Sequence, residues 1–305
     1  MTLTLFHRIN SNPYFQTVSV AQLFGACVLI WGSTWIAITF QLGVVAPEAS
    51  VAYRFLIASL LVFGYCLARK LPLRFPLREH RWIALQGVLM YSVSYVFVYY
   101  AEQHVVSGIV AVGYSVSPLL NLALMRLLFG TAMSKRVALG GALGLIGIVL
   151  VFWPEFGTLR AGGDARIGIL FALASVLISA LGSMTAHRNQ AAGLPIWQSM
   201  AWGMLYGSAV TFAMALALGR SLDFLWTPAY VASLAYLAVF GSVLAFSGFL
   251  HLLGRVGAAR AGYVGVMVPI VALIVSSVFE GYRWEALALA GVAISVAGNV
   301  IILRR

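Results

Sequence analysis

Ten apolar runs, each long enough to cross a hydrocarbon layer as a helix, take up nearly the whole chain: positions 20–40, 49–68, 82–100, 105–129, 136–153, 166–186, 196–218, 230–250, 257–279 and 285–303. A spanning helix needs about 20 such residues. In lipid the backbone must also satisfy its own hydrogen bonds, so short connections between long runs leave the helix as the available form. The predicted fold class is an all-α integral membrane protein of ten transmembrane helices. Composition agrees, since 62% hydrophobic residues, 9% charged residues and a mean hydropathy of +0.97 lie outside the range of water-soluble domains.

The same pattern excludes several classes of function. A net charge of +11 would point to nucleic acid in a soluble protein. Here the basic residues fall between apolar runs, where they set topology, so no nucleic-acid partner is expected. Cys27 and Cys66 each lie inside an apolar run without C-x-x-C or Cys/His spacing, and read as small buried hydrophobes. Neither a metal nor a cofactor is expected. The chain has no H-E-x-x-H, no G-x-S-x-G and no phosphate loop with Lys, and "GGALGLIG" at 140–147 lacks the strand and the spacing of a nucleotide loop. No catalytic set emerges, an ATP-driven pump is excluded, and any energy must come from a gradient.

Orientation follows from Lys and Arg. With the N-terminus in the cytoplasm, Arg8, Arg69, Lys70, Arg74, Arg78, Arg81, Lys135, Arg136, Arg188, Arg255, Arg304 and Arg305 lie inside, against Arg160, Arg166, Arg220 and Arg283 outside. Twelve against four predicts both termini in the cytoplasm, in an inner (plasma) membrane. Positions 1–19 read as a short cytoplasmic tail rather than a cleaved leader. The Gly-rich, polar stretch 154–165 is the outer joint between halves at 20–153 and 166–305, of five helices each.

Those halves resemble one another. A shift of 151 lays Pro118 on Pro269, Gly130 on Gly281, Gly140 on Gly291 and Gly147 on Gly298, and a shift of 150 lays Gly32 and Ser33 on Gly182 and Ser183. Because five is odd, the second copy enters the membrane from the opposite side, which predicts two inverted five-helix repeats. That arrangement is chiefly a transporter feature, with the binding site near the midplane between the repeats.

The chain also resembles the drug/metabolite transporter superfamily, specifically its EamA-type ten-helix members. The residues that carry the likeness are "WGSTW" in helix one, "YRFLIASLL" in helix two, "SPLLNLALMRLLFG" and "GGALGLIGIVLVF" in helices four and five, and "VPIVALIVSSVFEGYRWEALALAGVAISVAGNVII" at the end. The resemblance implies export of amino acids or related metabolites by a ten-helix carrier. Members commonly place Glu just after the glycine that closes helices four and nine; this chain has Thr131 and Tyr282 there, with Glu280 two residues before Tyr282.

Polar and aromatic residues at depth mark the candidate site. Trp31, Thr34 and Trp35 share one face of helix one, spaced for either a substrate path or plain packing. On helix three, Tyr91, Tyr95, Tyr99 and Glu102 fall within about 80° of one another, and a hydroxyl in lipid needs a partner. Tyr91 and Tyr95 are too deep for an aromatic belt. Helix four adds Tyr114, Pro118 and Asn121, and helix nine Tyr263 and Pro269, where the prolines predict matching kinks. Trp202 and Tyr206 lie four apart on helix seven. His251 is a candidate coupling residue or a solvated, capping histidine. Arg54 would cost about 2.5 to 3.5 kcal/mol at the bilayer centre. Near a helix end it can instead snorkel, pair with Glu48 or Glu102, or attract an anion. Gly140 and Gly144 suit close helix contact, between repeats or between protomers.

The reading is a secondary transporter of a small organic solute working by alternating access in the lipid bilayer, with a proton or a counter-solute as the candidate coupling partner. Sugars or nucleotide-sugars are the alternative cargo, and a membrane-embedded enzyme is a poorer one.

Overall fold

The chain folds as the runs dictate, and the computed structural model describes residues 18–105, 107–132, 135–151, 153, 164–279 and 285–303. Helix α1 (Val20–Thr39) opens with a capping box, in which Gln22 N donates to Ser19 Oγ at 3.1 Å and Ser19 N to Gln22 Oε1 at 2.8 Å. Helix α2 (Pro47–Ala68) carries proline in its first turn, where the missing N–H costs nothing. Helix α3 runs from Leu77–Val88 through a wider π turn at Leu89–Val93 into Ser94–Glu102. Helix α4 is broken into Ser107–Tyr114 and Ser117–Phe129. The first half closes with α5 (Lys135–Val151).

The second half repeats the plan: α6 (Asp164–Ala191), α7 (Ile196–Ala217), α8 (Pro228–Tyr236, a π segment at Leu237–Leu244, then Ala245–Val256), α9 (Ala258–Ala261 and Val264–Phe279) and α10 (Ala286–Leu303). Seven of these helices are long and apolar enough to cross a membrane by that measure alone, while the interrupted α4 and the C-terminal helix supply shorter apolar stretches. Large side chains such as Leu29, Leu127 and Leu170 remain exposed, as lipid contact requires. Several helices outrun their apolar cores, since α3 starts at Leu77 and α6 ends at Ala191.

Two sets of contacts show that the halves are inserted in opposite senses. Ser59 Oγ of α2 donates to Ala201 O of α7 at 2.9 Å, and Ser208 Oγ of α7 donates to Ala52 O of α2 at 2.8 Å. The serines are 149 apart (208 − 59), and so are the alanines (201 − 52). As α2 advances from Ala52 to Ser59 its neighbour goes back from Ser208 to Ala201, so the two helices are antiparallel and exchange places about a twofold axis. Helices α5 and α10 do the same through glycine. A Cβ on Gly298 would lie 2.7 Å from Gly140 O, a Cβ on Gly147 would collide with Gly291 O, and Ser295 Oγ donates to Gly144 O at 3.2 Å. Each of these residues has its counterpart 151 positions away in the facing helix, and the glycine seam therefore joins repeat to repeat.

The π turns obey the axis too. Ser92 and Ser242, 150 apart, lie in the two of them; Ser92 Oγ meets Thr211 Oγ1 of α7 at 2.6 Å, and Ser242 Oγ accepts from Arg54 Nε of α2 at 2.9 Å. Proline behaves less symmetrically than its spacing implied. Pro118 follows a true break in α4 and starts its second segment. Pro269 instead lies inside a continuous helix, and α9 breaks earlier, at Gly262 and Tyr263. The reason is packing: a Cβ on Gly262 would lie 3.2 Å from Pro118 Cα, and one on Gly265 would lie 2.6 Å from Tyr114 O, so the two breaks fit into each other.

Candidate substrate cavity

Helices from both halves enclose a cavity containing about 840 Å³ of atom-free space, its mouth included. Its wall takes Trp31, Thr34, Trp35 and Ile38 from α1, Met90, Tyr95 and Val98 from α3, and Tyr114, Ser117 and Asn121 from α4. The second half supplies Ser179, Ala180 and Ser183 from α6, Phe246 and Phe249 from α8, and Gly262, Val264, Gly265 and Val268 from α9. No Asp, Glu, Lys, Arg or His is among these residues.

Helix α1 can present its polar face because it lies hard against α9: a Cβ on Gly32 would sit 2.5 Å from Val271 Cβ. Trp31 Nε1 donates to Gly241 O at 3.1 Å, a carbonyl within the α8 π segment, and its ring packs edge-on to Phe246 at 5.2 Å. Thr34 Oγ1 returns its proton to Trp31 O at 2.8 Å. Trp35 meets Tyr114 edge-on at 6.2 Å, while its buried Nε1 donor has no hydrogen-bond partner. On α4, Tyr114 OH pairs with Ser175 Oγ at 2.7 Å. Asn121 Nδ2 donates to Ala258 O at 3.1 Å, and its buried Oδ1 accepts nothing. Two wall residues thus each carry one unused polar atom, a donor on Trp35 and an acceptor on Asn121, and a buried polar group left in that state is expensive.

Six of the residues singled out from sequence therefore share one wall: Trp31, Thr34, Trp35, Tyr95, Tyr114 and Asn121. The others lie elsewhere. Tyr91, fully buried, packs against Phe55 at 5.6 Å and Phe246 at 4.9 Å, and receives Gln86 Nε2 on its hydroxyl at 3.4 Å. The π turn that contains Tyr91 breaks the even 100° step that had put it on one face with Tyr95. Trp202 and Tyr206 stack at 5.8 Å and fasten the connection before α3, through Trp202 Nε1 to Leu73 O at 2.9 Å and Tyr206 OH with His80 Nδ1 at 2.8 Å. Tyr263 OH donates to Val137 O at 2.5 Å, behind the wall. His251 Nδ1 meets Ser247 O at 2.6 Å. Pro118 is buried against Gly262. Both carboxylate oxygens of Glu102 are buried and lack a hydrogen-bond partner.

Arg54 overturns the snorkelling expectation. It is 1% exposed, and it sits between Ala52 and Ser59, at the level where α2 crosses the twofold axis. Neither suggested carboxylate pairs with it: Glu48 takes Tyr100 OH and lies 3.6 Å from Arg220 Nε, and Glu102 is not within 4 Å. Ser179, Ser183, Phe246, Phe249, Gly262 and Gly265 are wall residues that sequence spacing did not single out for the site. Serines and glycines in an apolar helix carry too weak a signal to separate lining from packing. Of the two places where family members put glutamate, Thr131 follows α4 and Tyr282 lies outside the described residues, as does most of the 154–165 joint.

An inverted repeat of helices around a cavity of rings and hydroxyls is the architecture of a membrane transporter. The chain belongs to the EamA-like transporter family, whose family model matches residues 19–153 and again 166–304. It is 32% identical over 282 residues to the "Uncharacterized inner membrane transporter YedA" of Escherichia coli strain K12, covering 88% of this chain and 87% of that protein. It is 25% identical to the "Uncharacterized transporter YvbV" of Bacillus subtilis, over 92% and 90% of the two, and 26% identical to "Protein PecM" of Dickeya dadantii, over 90% and 88%. A solved crystal structure superimposes with a TM-score of 0.76 at 19% identity over 93% of this chain and 96% of that one, a likeness of fold. The protein is a multi-pass inner-membrane transporter of small molecules.

Proposed function

We propose that this carrier moves a small amphipathic organic solute, an amino acid or a related zwitterion, out of the cell by alternating access, with both termini cytoplasmic. The observation that carries the reading is the wall itself: aromatic faces, serine and threonine hydroxyls, one unpartnered donor on Trp35 and one unpartnered acceptor on Asn121, with no charged residue. Such a lining suits a solute with an apolar body and a few polar groups. A multiply charged phosphate or nucleotide-sugar would need several cations facing the cavity. The antiparallel repeats favour alternating access, because exchanging their two conformations exchanges the side on which the cavity opens.

Reconstitution into liposomes with a panel of labelled amino acids and related zwitterions tests the proposal. Uptake of at least one of them is expected, with Trp35→Ala and Asn121→Ala each lowering flux tenfold or more at unchanged protein content. Flux and protein content falling together would reassign both residues to packing.

A further inference from the structure

We propose that Arg54 is a recessed anchor for a carboxylate on the transported solute, which narrows the cargo to zwitterions or monoanions bearing one such group; the assignment rests on the carrier reading above. A guanidinium stays charged at any accessible pH, and this one is buried at the level of the twofold axis. Among the described residues it forms no ion pair within 4 Å, although the buried carboxyl of Glu102 lies near enough to feel its charge. Nε donates to Ser242 Oγ, the guanidinium lies 4.5 Å over the Tyr95 ring, and the Tyr95 and Tyr99 hydroxyls stand beside it. Nη1 is buried without a partner, and among the described residues no carboxylate comes within 4 Å.

Packing does not require the charge. The counterpart of Arg54 in the second repeat, 149 positions on (54 + 149), is Gly203, so the fold closes at the equivalent place with no side chain at all. The guanidinium is also one side chain from the cavity. Tyr95, which covers it, lines the wall, and Thr34 of the same wall converges with Arg54 on Gly241, whose absent Cβ would lie 2.9 Å from Thr34 Cγ2 and 3.1 Å from Arg54 Nη2. A shift of the Tyr95 ring exposes Nη1 to a solute carboxylate. Asn121, a wall residue, holds a buried Oδ1 without a partner, which a small turn of its amide would bring to an ammonium group. One cation matches one carboxylate and falls short of a phosphate dianion.

The test compares matched acids and amides in proteoliposomes, L-phenylalanine with L-phenylalaninamide and L-leucine with L-leucinamide. The unaltered protein is expected to carry acids at least tenfold faster than amides. Arg54→Met should lose that acid flux tenfold or more while melting at the same or a higher temperature, because replacing an unpaired buried charge by a hydrophobe of similar volume is neutral or stabilising. Arg54→Lys should restore part of the flux at a raised KM. Tyr95→Ala, which uncovers the guanidinium, should raise the acid-to-amide ratio, and it reads the same interaction if Arg54→Met fails to fold. Equal rates for acid and amide, undiminished acid flux in Arg54→Met, a lowered melting temperature with loss of both substrates, or an unmoved ratio in Tyr95→Ala would each overturn the assignment and leave the carrier reading standing. No flux of any panel member by the unaltered protein overturns both.

Discussion

Tyr91 and Tyr95 stand one turn apart on α3 and are alike in type, but their surroundings differ. Tyr95 lines the cavity, whereas Tyr91 is sealed between Phe55, Phe246 and the close glycines of α7. The same substitution should therefore do different things. Tyr91→Ala leaves a hole in packed surroundings and is expected to destabilise by about 3 kcal/mol, the usual scale for emptying a buried aromatic site. Its mark is a lower melting temperature and less protein in the membrane. Trp35→Ala removes a ring that faces space, and should lower transport at unchanged abundance. Finding the two variants equal in both measurements would contradict the placement of the wall. The face of α1 was legible in sequence because a regular helix keeps its spacing, and Tyr95, Tyr114 and Asn121 stood out as polar groups in apolar runs. Tyr91 was not, since nothing in "LMYSV" announces a π turn. Arg54 was misjudged because distance from a helix end stood in for depth, and only the crossing of α2 with α7 fixes that depth.

At the scale of elements, glycine decides which helices can approach. Gly140, Gly147, Gly291 and Gly298 let α5 and α10 meet backbone to backbone, and Gly87 with Gly203 and Gly207 does so for α3 and α7. Alanine at Gly147 must push a carbonyl aside, and overpacking of this kind costs about 1–3 kcal/mol. Gly147→Ala and Gly298→Ala should each lower the melting temperature of the detergent-solubilised protein by several degrees. Gly25→Ala and Gly64→Ala meet open space, so they should melt unchanged or slightly higher, as helix propensity alone dictates. A uniform response across the four would show that the seams are not close-packed. The repeat could be read from these glycines because they recur at one offset. The unequal breaks of α4 and α9 could not, because they depend on Gly262 and Gly265 fitting against Pro118 and Tyr114 of the other half.

For the molecule as a whole, the proposed alternation requires that one wall serve both faces of the membrane. Cys27 and Cys66 are buried, so a single cysteine introduced at Ser117 on the cavity wall is a clean reporter. In a Cys27→Ser, Cys66→Ser background, Ser117→Cys should react with a membrane-impermeant maleimide added from either side, more slowly from the side on which the cavity is closed. Labelling from one side only would contradict alternation between states related by the twofold axis. Two identical repeats would leave the inward-facing and outward-facing forms with equal free energy. Arginine at position 54, where the second repeat has glycine at position 203, removes that degeneracy, so the two forms of an alternating carrier would differ in free energy. Half-saturation then differs between the two sides of the bilayer, even though a passive carrier reaches the same final distribution from either direction.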